Sequence, residues 1–354
     1  MEIEIDGKMV GDGHPCYTIA EIGSNFDGSI ERAKKLIDLA KECGADAVKF
    51  QCFKTDSIIS KEGFQKVKKG FQSKWKKPVY EIYKSAEFPR DWNKELMAYS
   101  KNKGISFFST PYDKEAVDLL DKVGVPVFKI GSGDITWLEM IKYIAKKGKP
   151  IFLATGASTM DEIADAVNTI KKTGNNKLIL LQCVTNYPAT FDNANIKVMN
   201  LLREKFGTLV GYSDHTPGYI VPMGAVSLGA CIIEKHFTDD KTRDGPDHPF
   251  AMDGHDFKLM IENIRKLEKA LGNPIKKLYE EEKETVIIQR RCLRTNQDIK
   301  KGSIITDDMI VALRPTEEGF LAPKYLKDII GKKVNQDIKK GSAIKWNMTE
   351  VDEN

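Results

Sequence analysis

The feature that most constrains the fold is a regular alternation of short strand-like runs and helical segments between residues 16 and 271. The runs are rich in β-branched and aromatic residues, and segments with helical periodicity separate them. One of these segments opens with a capping box, Thr159 with Glu162. Eight runs are present, at residues 16–23, 46–51, 106–111, 127–133, 150–156, 178–183, 209–215 and 231–237. Eight strand–helix units in about 250 residues predict an α/β fold, a closed (β/α)8 TIM barrel.

The character of the chain changes after residue 272. Gly272, Asn273 and Pro274 end the last barrel helix, and a Lys/Glu-rich stretch predicts a linker over 273–288. The octapeptide NQDIKKGS occurs at 296–303 and again 39 residues later at 335–342. Two copies are too few for a solenoid. We therefore expect a barrel over 1–272 and a small β-rich domain over 289–354, in which the repeats are two equivalent strand–turn units.

Charge and cysteine content exclude several protein classes. The 55 Lys and Arg residues nearly balance the 51 Asp and Glu residues, so nucleic acid is not expected as a partner. There is no uninterrupted apolar run of about 18 residues and no secretory leader pattern, which predicts no membrane association. Six widely spaced cysteines without a C-x-x-C pair favour a reducing, cytoplasmic location.

Polar residues collect where the predicted strands end, which is where TIM barrels carry their chemistry. Residues two apart on a strand share a face, so Lys49 points the same way as Gln51, and Glu234 the same way as His236. Charged side chains facing the helix layer would be buried without partners, at a cost of several kcal/mol. We therefore expect these side chains to face the barrel mouth, although any single one could belong to a structural ion pair. The one oversized connection, residues 53–89, should cover this mouth.

Two groups of these residues indicate specific chemistry. Lys49 and Lys129 supply two cations that a phosphate dianion requires, with hydroxyl groups from neighbouring strands. His215 and His236 end adjacent strands and could anchor a divalent ion, or they could be hydrogen-bonded structural histidines. The hydroxyl donors are Thr110, Ser132 and Thr155, and the nearby carboxylates are Glu21, Asp134, Glu234 and, in the loop after the eighth strand, Asp247. This set suits the condensation of a phosphorylated three-carbon unit with an aldehyde.

Several motifs together resemble the sialic acid synthase family, which includes N-acetylneuraminate, legionaminate and pseudaminate synthases and spore-coat polysaccharide proteins. The motifs are IAEIGSN at 19–25, AVKFQ at 47–51, KIGSGD at 129–134, GYSDHT at 211–216, EKHF at 234–237 and GPDH at 245–248. The region from about residue 290, with LRP at 313–315, resembles the antifreeze-like SAF domain of that family.

The resemblance implies condensation of phosphoenolpyruvate with an N-acylated hexosamine, giving a nonulosonic acid and phosphate. It implies a divalent ion, Mn²⁺ or Mg²⁺, bound by His215 and His236. It also implies that Arg314 reaches the active site of a partner subunit, in a domain-swapped homodimer. The candidate catalytic residues are Glu21, Lys129, Asp134 and Glu234. The candidate substrate-binding residues are Lys49, Gln51, Thr110, Ser132, Thr155, Tyr187, Ser213, Asp247 and Arg314.

The chain departs from the family pattern at Phe26, at Asp134 and after His248, where Pro249 and Phe250 follow. These departures bear on the placement of water and of the sugar more than on the reaction class. Two alternatives stay open. One is a 3-deoxy-aldulosonate phosphate synthase that uses a sugar phosphate. The other is a non-catalytic sugar-binding protein of surface-polysaccharide assembly.

Overall fold

The computed structural model describes residues 1–67 and 70–350, with backbone only at Phe71 and Lys74. The chain divides into two compact units, Met1–Gly272 and Asn273–Asn354. Within the described residues, no helix combines the length and apolar character that crossing a membrane requires.

The first unit begins with an antiparallel hairpin, β1 (Glu2–Ile5) and β2 (Lys8–Gly11). The sequence shows this segment only as an acidic alternation, and the hairpin was not predicted. Ile5 and Val10 are buried and join the barrel core, so one face of the hairpin packs against the barrel. Asp6 and Gly7, both with positive φ, form the two-residue turn, a combination typical of such hairpins.

Eight parallel strands form a nearly closed barrel, which confirms the predicted α/β class. The strands are β3 (Tyr17–Glu21), β4 (Ala47–Cys52), β5 (Ser106–Pro111), β6 (Phe128–Ile130), β7 (Ile151–Ala154), β8 (Leu178–Cys183), β9 (Leu209–Asp214) and β10 (Ile232–Thr238). The order β5-β4-β3-β10-β9-β8-β7-β6 is parallel throughout, and β5 lies against β6. A two-residue strand, β11 (Met252–Asp253), pairs with the end of β10.

Helices follow the strands and cover the outside of the barrel, while short helices occupy the loops. They are α1 (Ile30–Glu42), α2 (Thr55–Ile58), α3 (Lys61–Lys66), α4 (Val79–Ser85), α5 (Trp92–Lys103), α6 (Lys114–Val123), α7 (Leu138–Ala145), α8 (Met160–Lys171), α9 (Phe191–Ala194), α10 (Val198–Phe206), α11 (Ile220–Ser227) and α12 (Gly254–Leu271). The predicted capping box is confirmed: the Glu162 amide donates to Thr159 Oγ1, and the Glu162 carboxylate accepts from the Thr159 amide at 2.7 Å.

The fourth and fifth strands are shorter than predicted. The sequence places strands at 127–133 and 150–156, whereas β6 ends at Ile130 and β7 ends at Ala154. Residues Ser132–Asp134 form one turn of 3₁₀ helix, because the two glycines that flank Ser132 disfavour a continued strand. The polar residues after these strands therefore lie in loops that leave the barrel.

The second unit is a small domain with its own apolar core. It contains α13 (Lys283–Gln289), β12 (Cys292–Thr295), β13 (Ile310–Leu313) and α14 (Leu326–Ile329), with β12 and β13 antiparallel. Its core includes Leu293, Ile305, Val334 and Ile344.

The repeated octapeptides contact each other in the small domain. Ile299 and Ile338 exchange both backbone hydrogen bonds, each at 2.8 Å, as an isolated antiparallel bridge. The Lys300 ammonium pairs with Asp337 at 2.8 Å, and the Lys339 ammonium pairs with Asp298 at 3.1 Å. The units are equivalent, as predicted, but each is an extended segment with one bridge rather than a strand.

Candidate active site

Four charged side chains from strands on different sides of the barrel meet at its mouth. The Lys49 ammonium lies 2.5 Å from Glu21 Oε2 and 3.7 Å from Glu234 Oε1, and the Lys129 ammonium lies 2.6 Å from Glu234 Oε1. All four side chains are buried. The predicted inward orientation therefore brings them together, and each lysine has a carboxylate partner.

Neighbouring charges favour the ionised forms of Lys49 and Glu234. Burial opposes the charge on Lys49, but Glu21 and Glu234 outweigh it and raise the Lys49 pKa. Burial also disfavours ionised Glu234, yet Lys129 and Lys49 lower the Glu234 pKa. For Lys129, burial is the largest influence and lowers the pKa. The two cations and two carboxylates balance, which offsets much of the cost of burying each charge.

The predicted hydroxyl groups surround this network, and some bond to its charged groups while others bond to the backbone. Ser213 Oγ donates to Glu234 Oε1 at 3.0 Å, and the Lys49 ammonium donates to Thr110 Oγ1 at 3.4 Å. Ser132 Oγ accepts from the Gly156 amide at 3.0 Å, and Thr155 Oγ1 donates to the Leu181 carbonyl at 3.2 Å. A Cβ at Gly156 would lie 2.9 Å from Ser132 Oγ, so the glycine lets the β7 loop approach this hydroxyl.

The two histidines lie side by side, with ring centroids 5.5 Å apart. His215 Nδ1 lies 2.7 Å from the Val184 carbonyl, which can only accept, so Nδ1 carries the proton and Nε2 keeps its lone pair. Burial and the neighbouring His236 lower the His215 pKa to about 3, so the ring is neutral. His236 Nδ1 is buried without a hydrogen-bond partner among the described residues.

This donor set fits a divalent ion in part. Neutral imidazole nitrogens with available lone pairs are the form that binds metal. Within the described residues, however, no group of three His, Cys, Asp or Glu side chains is placed to hold an ion. An ion here would need oxygen ligands from water or substrate in addition to His215 and His236.

A cavity of about 160 Å³ opens beside the histidines, with a largely aromatic wall. Three of the candidate substrate-binding residues, Gln51, Tyr187 and Asp247, line it together with His236. The predicted covering of the mouth by residues 53–89 is confirmed, since this connection contributes part of the wall. The remaining lining residues are Ser24, Phe53, Trp75, Ile82, Tyr83, Ala86, Tyr112, Pro246 and Phe250.

Gln51 joins the cavity to the charge network. Its amide donates to Glu21 Oε1 at 2.7 Å, while the same Glu21 pairs with Lys49 through Oε2. The cavity and the ion pairs therefore share one continuous set of polar contacts at the barrel mouth.

Asp134 lies apart from the ion pairs, half-buried in the 3₁₀ turn after β6. Burial raises its pKa to about 6. Tyr112 is close enough for the Asp134 charge to affect its own pKa, which burial raises well above the usual range. Asp134 is thus a carboxyl group that can gain or lose a proton near neutral pH.

Another charged pair contradicts one expectation. Lys235 and Asp214 alternate with the mouth-facing residues and are buried, but they are not without partners: Lys235 Nζ donates to Asp214 Oδ2 and to the Thr216 carbonyl, both at 2.5 Å. Asp214 also accepts from the Thr216 amide. The premise that charges on the other face would lack partners was wrong for this pair.

Arg314 lies in the small domain and is exposed. It belongs to a different compact unit from the other site residues. Its placement in a partner's active site stays a prediction.

Comparison with known proteins decides the family. Residues 36–276 match the model of the NeuB family, and residues 290–350 match the SAF domain. The chain belongs to the NeuB family. The resemblance to sialic acid synthases, and to their antifreeze-like domain, is confirmed by these matches.

Named relatives of this NeuB-family chain make different products. It is 40% identical over 328 residues to the N,N'-diacetyllegionaminic acid synthase of Campylobacter jejuni, covering 89% of this chain and 94% of that one. It is 33% identical over 336 residues to the N-acetylneuraminate-9-phosphate synthase of Homo sapiens, covering 94% and 93%. The solved N-acetylneuraminic acid synthetase of Leptospira borgpetersenii superposes with a TM-score of 0.72 at 31% identity, covering 81% and 95%.

Sequence reasoning missed several residues of the site. Tyr112 directly follows the third strand, a position that the strand-end rule could have identified. Tyr83 and Trp75 come from the long connection, whose path no local pattern fixes.

Two departures of this NeuB-family chain from the pattern have separate locations. Phe26 is buried among Phe50, Phe88 and Trp92, so it packs in the barrel wall. Phe250 lines the cavity, with its ring centroid 4.9 Å from His236.

Proposed function

We propose that the chain is a metal-dependent synthase that condenses phosphoenolpyruvate with the open-chain form of an N-acylated hexosamine. The products are a nonulosonic acid and inorganic phosphate. The acceptor is N-acetylmannosamine or a 2,4-diacetamido-trideoxyhexose. The observation that carries the proposal is the continuity, through Gln51, between two buried lysines and a cavity lined by Tyr187, His236 and Asp247.

In the proposed reaction, C3 of phosphoenolpyruvate forms a bond to the aldehyde carbon, a water oxygen adds at C2, and the C2–O bond to phosphate breaks. Lys49 and Lys129 are the cations for the phosphate, which would replace part of their pairing with Glu21 and Glu234. Thr110, Ser132, Thr155 and Ser213 complete the phosphate site.

The carboxyl groups handle protons in this scheme. Glu21, which contacts Lys49 and Gln51, would orient the attacking water. Asp134, with a pKa of about 6, suits proton transfer near neutral pH. Gln51, Tyr187 and Asp247 bind the sugar hydroxyl and acyl groups.

His215 and His236 would hold a Mn²⁺ or Mg²⁺ ion. The ion would supply Lewis acidity that polarises the aldehyde oxygen. The available His215 Nε2 lone pair and the unpartnered His236 Nδ1 support this assignment.

The proposal extends to assembly and location. A homodimer in which Arg314 of one subunit serves the other's site would use a guanidinium that is exposed within its own domain. The six cysteines all lie in the described part of the chain, buried with free thiols, which supports a cytoplasmic location.

The deciding experiment measures phosphate release from phosphoenolpyruvate with a panel of acceptors. We expect release with an unphosphorylated N-acylated hexosamine and none with arabinose 5-phosphate. Release with arabinose 5-phosphate alone would establish the aldulosonate alternative. Calorimetric binding of a hexosamine without any turnover would establish a sugar-binding protein instead.

Metal dependence has its own test. A chelator should abolish phosphate release and Mn²⁺ should restore it, while His236→Gln should lower turnover with added metal by at least about 10²-fold, the usual loss when one strong electrostatic group is removed from a site. His255→Gln, at an exposed histidine, is the matched control. Full activity of the metal-free protein would remove the ion from the mechanism.

A further inference from the structure

Two consecutive residues of the loop after β10 form hydrogen bonds with the loop after β3 at the barrel mouth. Asp247, in the loop after β10, accepts hydrogen bonds at Oδ2 from the Ser24 amide and the Ser24 hydroxyl, both at 2.9 Å. The next residue, His248, has Nε2 2.9 Å from Asp27 Oδ1 in the loop after β3. Asn25 Nδ2 adds a bond to the Phe237 carbonyl at 2.9 Å. The β3 loop is therefore joined to the β10 loop through Asp247 and His248, and to β10 itself through Asn25. Arg243 of the β10 loop also lies 4.0 Å from Asp27 Oδ2.

His248 is completely buried, and both ring nitrogens have partners. Asp27 is paired with Arg32 at 2.9 Å and accepts from His248, so Nε2 carries the proton. Nδ1 lies 2.7 Å from Thr238 Oγ1 and, with the single ring proton on Nε2, accepts a hydrogen bond from the threonine hydroxyl. His248 thus spans from the end of β10 to the β3 loop with no donor or acceptor left over.

The chain of contacts Asp27, His248, Thr238 has the order of an acid–base–nucleophile triad. A nucleophile must reach substrate, however, and the Thr238 side chain is completely buried. The role that remains for His248 is to hold the β10 loop in place.

Two glycines allow the β3 and β10 loops to approach this closely. A Cβ at Gly23 would lie 2.5 Å from Asp247 Oδ2, and a Cβ at Gly245 would lie 2.6 Å from His248 Cδ2. Any larger residue at either position would push Asp247 or His248 out of its contact. Both glycines thus permit the close approach of the two loops.

We propose that His248 is a positioning residue for the acceptor sugar, acting through the neighbouring Asp247. Pro246, Asp247 and Phe250 line the cavity, and all three lie on the loop that His248 fixes. The phosphate site on Lys49 and Lys129 belongs to strands that His248 does not contact. The inference that the bound ligand is a sugar rests on the proposed function. The inference that His248 fixes the loop does not depend on it.

The test compares three variants of the full-length protein. His248→Phe keeps a ring but removes both hydrogen bonds, and His248→Gln keeps a donor that reaches Asp27. His255→Phe alters an exposed histidine as the control. Hydrogen–deuterium exchange is followed for peptides covering residues 22–29 and 239–251, and KM is measured separately for the sugar and for phosphoenolpyruvate.

We expect His248→Phe to speed exchange in both peptides and to raise KM for the sugar by about tenfold, with KM for phosphoenolpyruvate changed less than about twofold. His248→Gln should recover much of both effects. In an Asp247→Ala background, the further effect of His248→Phe on the sugar KM should disappear.

Unchanged exchange in both His248 variants would overturn the proposal, as would a parallel rise in both KM values. If the unsubstituted protein condenses no hexosamine, the proposed function fails, and the exchange data still decide whether His248 holds the loop.

Discussion

The barrel mouth and the small domain both use lysine–carboxylate pairs, in opposite surroundings. Lys129 and Glu234 lie 2.6 Å apart with side chains only 4% and 6% exposed. Lys300 and Asp337 lie 2.8 Å apart with side chains 76% and 54% exposed. The distances are nearly equal, so geometry does not separate the two pairs, whereas burial does.

The two regions also differ in whether their polar atoms all have hydrogen-bond partners. Both oxygens of Asp337 are used, one by the Lys300 ammonium and one by the Lys301 amide. At the mouth, Glu234 Oε2 and His236 Nδ1 are buried without hydrogen-bond partners among the residues described. Buried polar groups without partners are costly, so they mark a place where a ligand completes the structure. In the small domain the charged groups of this pair contact each other, whereas at the mouth some buried polar atoms remain available to bind a ligand.

The largest effect that tests this contrast is expected at Lys129. Lys129→Met leaves buried Glu234 with only the longer 3.7 Å pairing to Lys49, and breaking a buried pair typically destabilises a protein by about 3–5 kcal/mol. Turnover should fall by at least about 10²-fold, because a cation of the proposed phosphate site is lost. Urea unfolding and phosphate release measure the two effects.

The matched control is Lys300→Met in the small domain. Its pair is exposed, so we expect turnover and unfolding midpoint close to those of the unsubstituted protein. Equal destabilisation by the two substitutions would show that burial does not separate the two kinds of pair.

An intermediate effect is expected from Asp134 as the pH changes. Its folded pKa of about 6 lies above the ordinary value of 3.8, so the folded state binds the proton more tightly. This stabilising contribution is complete below about pH 4 and is lost as the pH rises through 6, with an upper limit of about 3 kcal/mol before screening by solvent. Asp134→Asn should reduce this pH dependence and should be relatively more stable above pH 6, measured by urea unfolding between pH 4 and 8. An Asn variant with the original pH profile would disprove the raised pKa.

The smallest effects are expected in the repeated units. Asp298→Ala and Asp337→Ala remove equivalent contacts, each an exposed ion pair and a 2.8 Å bond from a lysine amide. Both should lower the melting temperature slightly and by similar amounts, with no change in turnover, as calorimetry and the phosphate assay can show. Clearly unequal shifts would contradict the equivalence of the two units.

Much of the barrel could be predicted because its determinants are local. Strand runs, their alternation and the Thr159 capping box are all encoded within a few residues, and strand periodicity places Lys49 on one face with Gln51 and Glu234 on one face with His236. The ends of β6 and β7 were placed too late, because the glycine-rich residues after them turn out of the sheet.

Other parts of the site depend on contacts between distant segments. Lys235 pairs with Asp214 across two strands, and Tyr83 reaches the cavity from a long connection. No role for His248 could be predicted, because its partners Asp27 and Thr238 are brought to it only by the closed barrel. Strand periodicity carries no information on such pairings.

The crossed contacts of the two octapeptides give the small domain an internal symmetry. Each unit supplies an aspartate to the other's lysine and an isoleucine to the other's backbone, which is the pattern of an isologous interface in a twofold-symmetric dimer. Here both halves belong to one chain, 39 residues apart. Such a unit is self-complementary, so residues 296–303 and 335–342 of one chain meet as two copies would meet across a symmetric dimer interface.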